Sequence, residues 1–258
     1  MSLITFCNLY DEITISKINS KRNKVSFIGP FKKGINQKHN TVTKVFDLLR
    51  KEKLLVNQTF KVIVKKNIPH GSGLGGGSAN AASLLTSLNS RLNLKLNKHK
   101  LKTLATQIGF DVPISLQKNN VFLTGKQNAI LKINKKFRLN LLIVYPKIIC
   151  STKAIYKKNK DFTLQKKVPN FNKLKENKFI YFLKKEKNDL EKTVTTIYPK
   201  VGKIIDCIKS QNGCYFSRIT GSGSAFIGIF SKKKYAIRAK KIVSLKYPEC
   251  WSTVSKTI

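Results

Sequence analysis

The sequence predicts an α+β protein, because strand-type and helix-type segments are interspersed without a regular βα repeat. Residues 60–66 alternate apolar and polar side chains, as a half-buried strand does. Residues 81–92 instead carry apolar side chains at helical spacing, on one stripe. The chain has 258 residues, of which 41% are hydrophobic, enough for one large domain or two moderate ones.

The first half of the chain predicts strands over residues 12–16, 24–28 and 60–66, and a helix over 41–51. A helix beginning near Ser78 and a helix over 98–108, ended by Gly109, follow a glycine-rich loop. The next segments, 121–124 and 129–133, predict a strand pair that turns at Gly125. The helix after the loop has an apolar stripe formed by Ala81, Leu84, Leu85, Leu88 and Leu92.

The second half begins with a strongly apolar strand over residues 139–145. Residues 157–187 are rich in Lys and Asn and predict a loop with short helices. The rest of the second half predicts two helices, over 194–208 and 232–246. It also predicts strands over 215–219 and 225–230 and a closing strand over 251–257. We therefore predict two domains, residues 1–136 and 137–258, that meet near residues 135–138.

The net charge of +39 has two interpretations. One is nucleic-acid binding, since basic surfaces attract phosphate backbones. The other is compositional bias: only six of the 51 basic residues are Arg, and the Lys residues are dispersed among Asn-rich loops. Base recognition relies on Arg forks, which are scarce here. Compositional bias is the favoured interpretation, and we expect no specific nucleic-acid partner, although a positive surface would attract a phosphorylated substrate.

The five cysteines form no CxxC pair, and their spacing suits neither a zinc site nor a disulfide framework. This pattern predicts thiols in a reducing cytoplasm. No apolar run approaches the roughly 20 residues of a membrane-spanning helix, and the N-terminus lacks the pattern of a secretory signal. We expect a soluble, cytoplasmic protein without a membrane partner, acting as a monomer or homodimer.

The most informative segment is the glycine-rich PHGSGLGGGSANAA, residues 69–82. Its glycines admit positive φ and leave backbone N–H groups free to converge on an anion. The loop leads directly into the helix near Ser78, whose N-terminus adds unsatisfied amides and a favourable dipole. No Gly-Lys-Ser/Thr follows, so this is not a Walker A loop. A flexible linker is the alternative, but linkers rarely join a strand to an amphipathic helix.

The loop resembles the ATP-phosphate motif of the GHMP kinases, Pro-x-x-x-Gly-Leu-Gly-x-x-Ser. Its fuller form, Gly-Leu-Gly-Gly-Gly-Ser-x-Asn-Ala-Ala, is similar to the branch that phosphorylates 4-diphosphocytidyl-2-C-methyl-D-erythritol, with Ala79 at a position where that branch commonly has Ser. The resemblance implies the GHMP kinase fold, in which two α+β halves have the active site between them. It implies ATP and Mg²⁺ as cofactors, with Ser78 as the hydroxyl nearest phosphate or metal; the metal ligands are not identified. The implied ATP-binding residues are Pro69, His70, Gly71, Ser72, Gly73, Leu74, Gly75, Gly76, Gly77, Ser78 and Ala79.

Asp111 lies in the segment Gly-Phe-Asp-Val-Pro, residues 109–113. By itself this pattern is typical of a helix N-cap followed by a tolerated Pro. The family carries Gly-x-Asp-Val-Pro at this spacing, and its Asp is catalytic. The resemblance therefore implies that Asp111 accepts or orients the proton of the attacking hydroxyl.

A second glycine turn, Thr220-Gly221-Ser222-Gly223, is by itself typical of a tight turn between two strands. In the family a similar turn packs against the phosphate loop, which implies a supporting role here. The segment from Tyr145-Pro146 to Tyr156 also resembles the family. That similarity implies that Tyr156 stacks on the cytosine ring and that Thr152 makes a nearby polar contact, with a core-packed Tyr156 as the alternative.

One family motif is absent, a strand with Ala-Lys-hydrophobic-Asn whose Lys polarises the substrate hydroxyl. Residues 1–16 match the segment that follows it, so we expect the first strand of the family domain to lie outside this sequence; we do not take Lys17 as the counterpart of that Lys. Either the start was assigned roughly 25 residues too far downstream, a length given by one strand and a turn, or the chain is a repurposed relative. The first hypothesis is favoured because the glycine loop and Asp111 are intact. It predicts weak catalysis and an exposed sheet edge, which robust turnover would contradict.

The resemblance thus implies an ATP-dependent kinase that acts on the 2-hydroxyl of a cytidine diphosphate-linked methylerythritol, in the non-mevalonate isoprenoid pathway. Two alternatives stay open. Another GHMP kinase, such as a homoserine kinase, would show no requirement for cytidine. A nonenzymatic basic protein would bind nucleic acid with a steep salt dependence.

Overall fold

The computed structural model describes residues 2–117, 119–124, 129–163 and 169–258. The chain forms two compact units, neither of which is continuous in sequence. The smaller unit contains Leu9–His70 and Gly75–Lys118, and the larger contains Met1–Asn8, Gly71–Leu74 and Asn119–Ile258. The predicted domains 1–136 and 137–258 stay a prediction.

The described residues form strands and α-helices in the following chain order. They are β1 (Ser2–Ile4), β2 (Glu12–Ile18), β3 (Lys24–Ile28), α1 (Thr41–Lys51), β4 (Thr59–Lys65), α2 (Gly76–Arg91), α3 (Lys98–Ile108), α4 (Val112–Ser115), β5 (Asn120–Thr124), β6 (Ala129–Ile133), β7 (Asn140–Tyr145), α5 (Thr152–Lys158), α6 (Glu176–Lys185), α7 (Glu191–Ile197), α8 (Pro199–Lys209), β8 (Cys214–Ile219), β9 (Phe226–Phe230), α9 (Lys233–Lys246) and β10 (Trp251–Lys256). A short 3-10 helix, Phe171–Lys173, precedes α6.

The smaller unit is built on a three-stranded sheet in the order β2-β4-β3. β4 is central, antiparallel to β2 and parallel to β3. Its alternate residues Phe60, Val62 and Val64 are buried, as the predicted alternation requires. The apolar stripes of α1, α2 and α3 pack with these residues in one core, which also includes Val112 of α4.

The larger unit contains two antiparallel sheets, β1-β5-β6 and β10-β7-β9-β8. The four-stranded sheet shares its core with α5, α7, α8 and α9. Antiparallel sheets with interspersed helices confirm the predicted α+β class. In the part of the chain that the structure describes, no helix has both the length and the apolar character needed to cross a membrane.

The prediction of a continuous helix over residues 194–208 is wrong. The segment forms two helices, α7 and α8, and Tyr198 between them has φ −125° and ψ 76°. Pro199 explains the break, because its ring disfavours helical backbone at the residue before it. Two smaller corrections apply: α2 begins at Gly76 rather than near Ser78, and β1 was not predicted. The predicted turn at Gly125 lies outside the described residues.

Candidate functional site

The glycine-rich loop has left-handed backbone at alternate positions: Gly71, Gly73 and Gly75 have φ of 67°, 79° and 73°. Gly75 is the N-cap of α2, so no side chain caps the first turn of that helix. The first N–H groups of a helix have no intrahelical acceptor. The loop therefore ends in backbone donors that an anion can accept from, with the positive end of the helix dipole behind them.

Two of these glycines are required for different reasons. A Cβ on Gly75 would meet nothing within 4 Å, so its backbone angle alone favours glycine. A Cβ on Gly73 would lie 2.7 Å from the carbonyl oxygen of Thr220 and 2.9 Å from that of Gly223. No side chain can replace Gly73 unless the backbone moves.

The Gly71–Leu74 segment is fastened to the second glycine turn, within the larger unit. The Ala225 N–H donates to the Ser72 carbonyl at 2.9 Å, and Ser72 is buried. The Thr220 hydroxyl donates to the Gly73 carbonyl at 3.4 Å. The structure thus brings the two predicted glycine segments together in this unit.

The second glycine turn is a tight, hydrogen-bonded turn between β8 and β9. The Gly223 N–H donates to the Thr220 carbonyl at 3.0 Å, and Thr220 N–H to the Ala225 carbonyl at 2.9 Å. Gly221 and Gly223 have φ of 56° and 81°, which explains why glycine stands at both positions.

Two side chains hold this turn: Asn188 lies just before α7, and Glu191 is the first residue of that helix. The Asn188 amide donates to the carbonyls of Gly221 and Ile219, at 2.8 and 3.2 Å. The Glu191 carboxylate accepts from the Ile219 N–H at 2.8 Å. No motif in the sequence indicated this contact between residues 188–191 and the turn.

Both predicted substrate-binding residues lie on α5. Thr152 is its first residue, and the Thr152 and Ser222 hydroxyls lie 2.9 Å apart. α5 therefore begins in contact with the second glycine turn. Tyr156 is 54% exposed, whereas its neighbour Ile155 is buried. The core-packed alternative for Tyr156 is thereby excluded, and its ring is accessible to a ligand.

The remaining predicted loop residues belong to the smaller unit. The His70 ring lies 2.8 Å from the Lys33 carbonyl through Nε2, so one of its nitrogens is engaged in a backbone contact. The Thr41 hydroxyl donates to the Gly77 carbonyl at 2.8 Å, which fixes the first turn of α2 against α1. Pro69 and Gly76 are buried, and Ser78 and Ala79 keep partial exposure on that first turn.

Asp111 lies at the start of α4, which packs against α2. Its side chain accepts no capping hydrogen bond, so the plain N-cap that the pattern allowed is not formed. Desolvation by the surrounding protein raises the pKa of its carboxyl above the ordinary Asp value, although the residue keeps an exposed surface. A carboxylate that is not used as a helix cap can accept a proton from a bound substrate.

Asp11 is a residue of the site that sequence analysis missed. Its side chain is wholly buried and is paired with the buried Lys66. It also accepts hydrogen bonds from the backbone at the start of the glycine-rich loop. The sequence offered only a weak signal, an Asp at the entry to a strand.

No group of three or more His, Cys, Asp or Glu side chains that could hold a metal ion occurs among the residues described. Mg²⁺ in nucleotide sites is usually held by one or two carboxylates together with phosphate oxygens and water. Asp111 and the Ser78 hydroxyl are oxygen donors of that kind in the smaller unit.

Comparison with known proteins gave matches along most of the chain. The model of the GHMP kinases N terminal domain matches residues 40–119, and that of the GHMP kinases C terminal domain matches residues 171–249. A 4-diphosphocytidyl-2-C-methyl-D-erythritol kinase of Pelagibacter ubique is 37% identical over 258 residues, covering 100% of this chain and 90% of the relative. The enzyme of the same name from Wolbachia pipientis is 33% identical, with 96% and 86% covered.

Two solved structures have the same fold. A crystal structure of 4-(cytidine 5'-diphospho)-2C-methyl-D-erythritol kinase aligns with a TM-score of 0.74 at 20% identity, covering 99% of this chain and 89% of that one. Homoserine kinase from Cytophaga hutchinsonii aligns with a TM-score of 0.73 at 16% identity, covering 96% and 85%. These structural matches concern the fold, and the more similar sequences carry the family assignment.

Proposed function

The chain belongs to the 4-diphosphocytidyl-2-C-methyl-D-erythritol kinases, a family of the GHMP kinases, and from this premise we propose its reaction and the roles of its residues. It is an ATP-dependent phosphotransferase with an alcohol acceptor. It phosphorylates the 2-hydroxyl of 4-diphosphocytidyl-2-C-methyl-D-erythritol, in the non-mevalonate isoprenoid pathway. Homoserine kinases have the same fold, so the fold alone does not select this substrate; the sequence relatives do.

The observation that carries the proposal is the glycine-rich loop that opens into α2 without a side-chain cap. In this proposal, residues 69–79 form the site for the phosphates of ATP, and the donors are the backbone N–H groups that remain free in the loop and at the start of α2, together with the α2 dipole. Gly75 supports this role because open space surrounds it. The Ser78 hydroxyl, on the first turn of α2, contributes a further polar contact.

Asp111 is the general base in this mechanism. The substrate hydroxyl oxygen attacks the γ-phosphorus, the bond from that phosphorus to the β,γ-bridging oxygen breaks, and ADP leaves. The hydroxyl proton passes to the Asp111 carboxylate. Phosphoryl transfer is mainly a matter of positioning and charge stabilisation, so the fixed loop and helix N-terminus contribute more than covalent chemistry.

Tyr156 and Thr152 bind the cytidine end of the substrate. The exposed ring of Tyr156 can stack on cytosine, since aromatic rings stack on any base face. Thr152 makes a polar contact, and its position depends on the Ser222 hydroxyl. The turn Thr220–Gly223 supports both the loop and α5.

GHMP kinases use ATP, and we infer that Mg²⁺ accompanies it. Bound Mg²⁺ would neutralise charge that develops on the phosphates, and the Ser78 hydroxyl and the Asp111 carboxylate are the candidate residues that would hold it. The cysteine spacing supports a cytoplasmic location. A monomer or a homodimer stays a prediction.

The test is a substrate panel with ATP and Mg²⁺: 4-diphosphocytidyl-2-C-methyl-D-erythritol, its uridine analogue, free methylerythritol and homoserine. We expect ADP release only with the cytidine substrate, and a product phosphorylated at the 2-hydroxyl by phosphorus NMR. Turnover of homoserine, or equal turnover of the uridine analogue, would overturn the substrate assignment. Asp111→Asn serves as the control, since it should remove turnover and leave ATP binding.

A further inference from the structure

Asp11 precedes β2 in the smaller unit, and its side chain has no solvent exposure. A buried carboxylate is costly unless hydrogen bonds and an opposite charge compensate it. Asp11 has both. Its charge partner is Lys66, the residue that follows the end of β4. The side chain of Lys66 is 3% exposed.

The hydrogen bonds of Asp11 are arranged in two groups. Oδ1 accepts from the backbone N–H groups of Asn67 and Ile68, at 2.7 and 2.8 Å. Oδ2 accepts from the Lys66 ammonium and, at 2.8 Å, from the side-chain amide of Asn80. One oxygen therefore holds the chain where it enters the glycine-rich loop, and the other reaches α2, where the loop ends.

Two residues that are hydrogen-bonded to Asp11, Ile68 and Lys66, also lie against the N-terminus of α2. A Cβ on Gly76 would lie 3.0 Å from Cγ2 of Ile68 and 3.4 Å from the Lys66 ammonium nitrogen. Ile68 and Lys66 therefore lie directly against the first residue of the helix. The backbone N–H groups at this end of α2 are the ones that the proposed function assigns to the phosphates.

We propose that Asp11 is a positioning residue for ATP: it holds the entry of the glycine-rich loop and the N-terminal part of α2 in one fixed arrangement, so that the N–H groups of the loop and of the first turn of α2 converge on phosphate. This inference rests on the proposed function and deepens it. Asp11 itself does not contact the nucleotide. Its effect is preorganisation, because donors held in place before binding lose little freedom when the ligand arrives.

The test compares Asp11→Asn with Glu12→Gln. Glu12 is the next residue in the chain and pairs with Lys65 at 2.9 Å, also between β2 and β4, but that pair is about half exposed. Isothermal titration calorimetry measures the Kd of ATP with Mg²⁺, and of the cytidine substrate, for each protein. We expect Asp11→Asn to weaken ATP binding about tenfold, equivalent to about 1.4 kcal/mol. The cytidine substrate should bind within about twofold of the parent, and Glu12→Gln should change neither constant by more than that.

A merely structural role would lower the melting temperature of Asp11→Asn without changing its Kd for ATP, because an unfolded fraction lowers the binding stoichiometry and not the affinity. That result would overturn the proposal. Asn80→Ala is the second variant, for the case that Asp11→Asn does not fold: it removes one donor to Asp11 and places a good helix former on α2. We expect about threefold weaker ATP binding, as for a hydrogen bond of modest net strength; an unchanged Kd would overturn the proposal.

The binding measurements separate this inference from the reaction itself. If the parent protein binds ATP but does not phosphorylate the cytidine substrate, the proposed function fails, and the ATP constants of the variants still decide the role of Asp11. If the parent turns over the substrate and Asp11→Asn binds ATP equally well, only the positioning role is overturned. If the parent binds no ATP, both are overturned.

Discussion

Replacing Gly73 by Ala should destabilise the larger unit more than any other single methyl addition in the glycine-rich loop. Two costs add. A non-glycine residue at the φ of 79° costs roughly 1–2 kcal/mol, because Cβ approaches its own backbone. The new Cβ would also lie 2.7 and 2.9 Å from the carbonyl oxygens of Thr220 and Gly223, below the 3.0 Å that such contacts essentially never cross. Both neighbours are backbone atoms, so no side chain can rotate away.

Gly75→Ala is the matched control. Gly75 has nearly the same φ, 73°, but its Cβ would meet nothing within 4 Å. It therefore bears the conformational cost without the overlap. Forcing extra carbon atoms into packed structure typically costs about 1–3 kcal/mol. That interval is the expected difference between the two variants.

The assay is thermal unfolding without nucleotide, followed by circular dichroism and calorimetry. For a chain of this size, each kcal/mol shifts the melting temperature by roughly 2–4 °C. Gly73→Ala should thus melt roughly 2–12 °C below Gly75→Ala. Gly75→Ala should instead weaken ATP binding, because its methyl group points into the open space proposed for the phosphates. Its melting temperature should stay above that of Gly73→Ala.

Equal melting temperatures for the two variants would refute the argument. They would mean that the Gly71–Leu74 segment can move away from Thr220 and Gly223 at no cost. The contact between the two glycine segments could then not be what fixes the loop in the larger unit.

Four other predictions concern Asp111 and Tyr156. Asp111→Asn should lower kcat about 100- to 10,000-fold, the usual contribution of a general base, and leave the Kd of ATP within about twofold by calorimetry. The pKa of Asp111 is raised, and its ionised form is the base. In a kcat–pH profile, turnover of the parent should therefore begin to fall, as pH decreases, at a higher pH than the pKa of an ordinary Asp would give. The raised pKa means that folding favours the neutral form of Asp111. The melting temperature of the parent should therefore fall relative to that of Asp111→Asn as pH rises through that pKa, which paired melting curves measure. Tyr156→Ala should raise KM for the cytidine substrate about tenfold, whereas Tyr156→Phe should change it less than about twofold, since stacking on a base contributes roughly 1–3 kcal/mol; equal KM values for both would exclude stacking.

Elements whose determinants are local were predictable from the sequence. The predicted bounds of α1 and α3 agree with the structure, because each helix has an apolar stripe and an Asn N-cap, Asn40 and Asn97. β1 was missed because a strand of three residues shows no periodicity, and it forms only by pairing with β5, far along the chain. The apolar spacing over 194–208 is helical in both α7 and α8, but the prediction of one continuous helix did not take account of the backbone restriction that Pro199 imposes on Tyr198.

The site divides in the same way. The positive φ values of Gly71, Gly73 and Gly75 follow from local glycine spacing, and they could be expected from the sequence. Asp11 could not be found, because its hydrogen-bond partners lie between 55 and 69 residues away. Which donors converge on a carboxylate depends on the register of β2 with β4 and on where α2 packs. Neither the register nor the packing of α2 can be predicted from the residue pattern of a single segment.

Lys66 shows how little a net charge says about a single residue. The sequence suggested that its many lysines reflect composition, and among the described residues Lys66 is the one lysine that is buried, at 2% exposure. The other described lysines keep at least partial exposure, so water can solvate their ammonium groups and they do not require a buried partner. Lys66 lacks that solvation, and its charge is tolerated because Asp11 accompanies it. Compositional bias alone therefore does not explain the presence of Lys at position 66. Because breaking a buried pair costs about 3–5 kcal/mol, the pair constrains the strand and the helix that border the phosphate loop, which the dispersed surface charge cannot do.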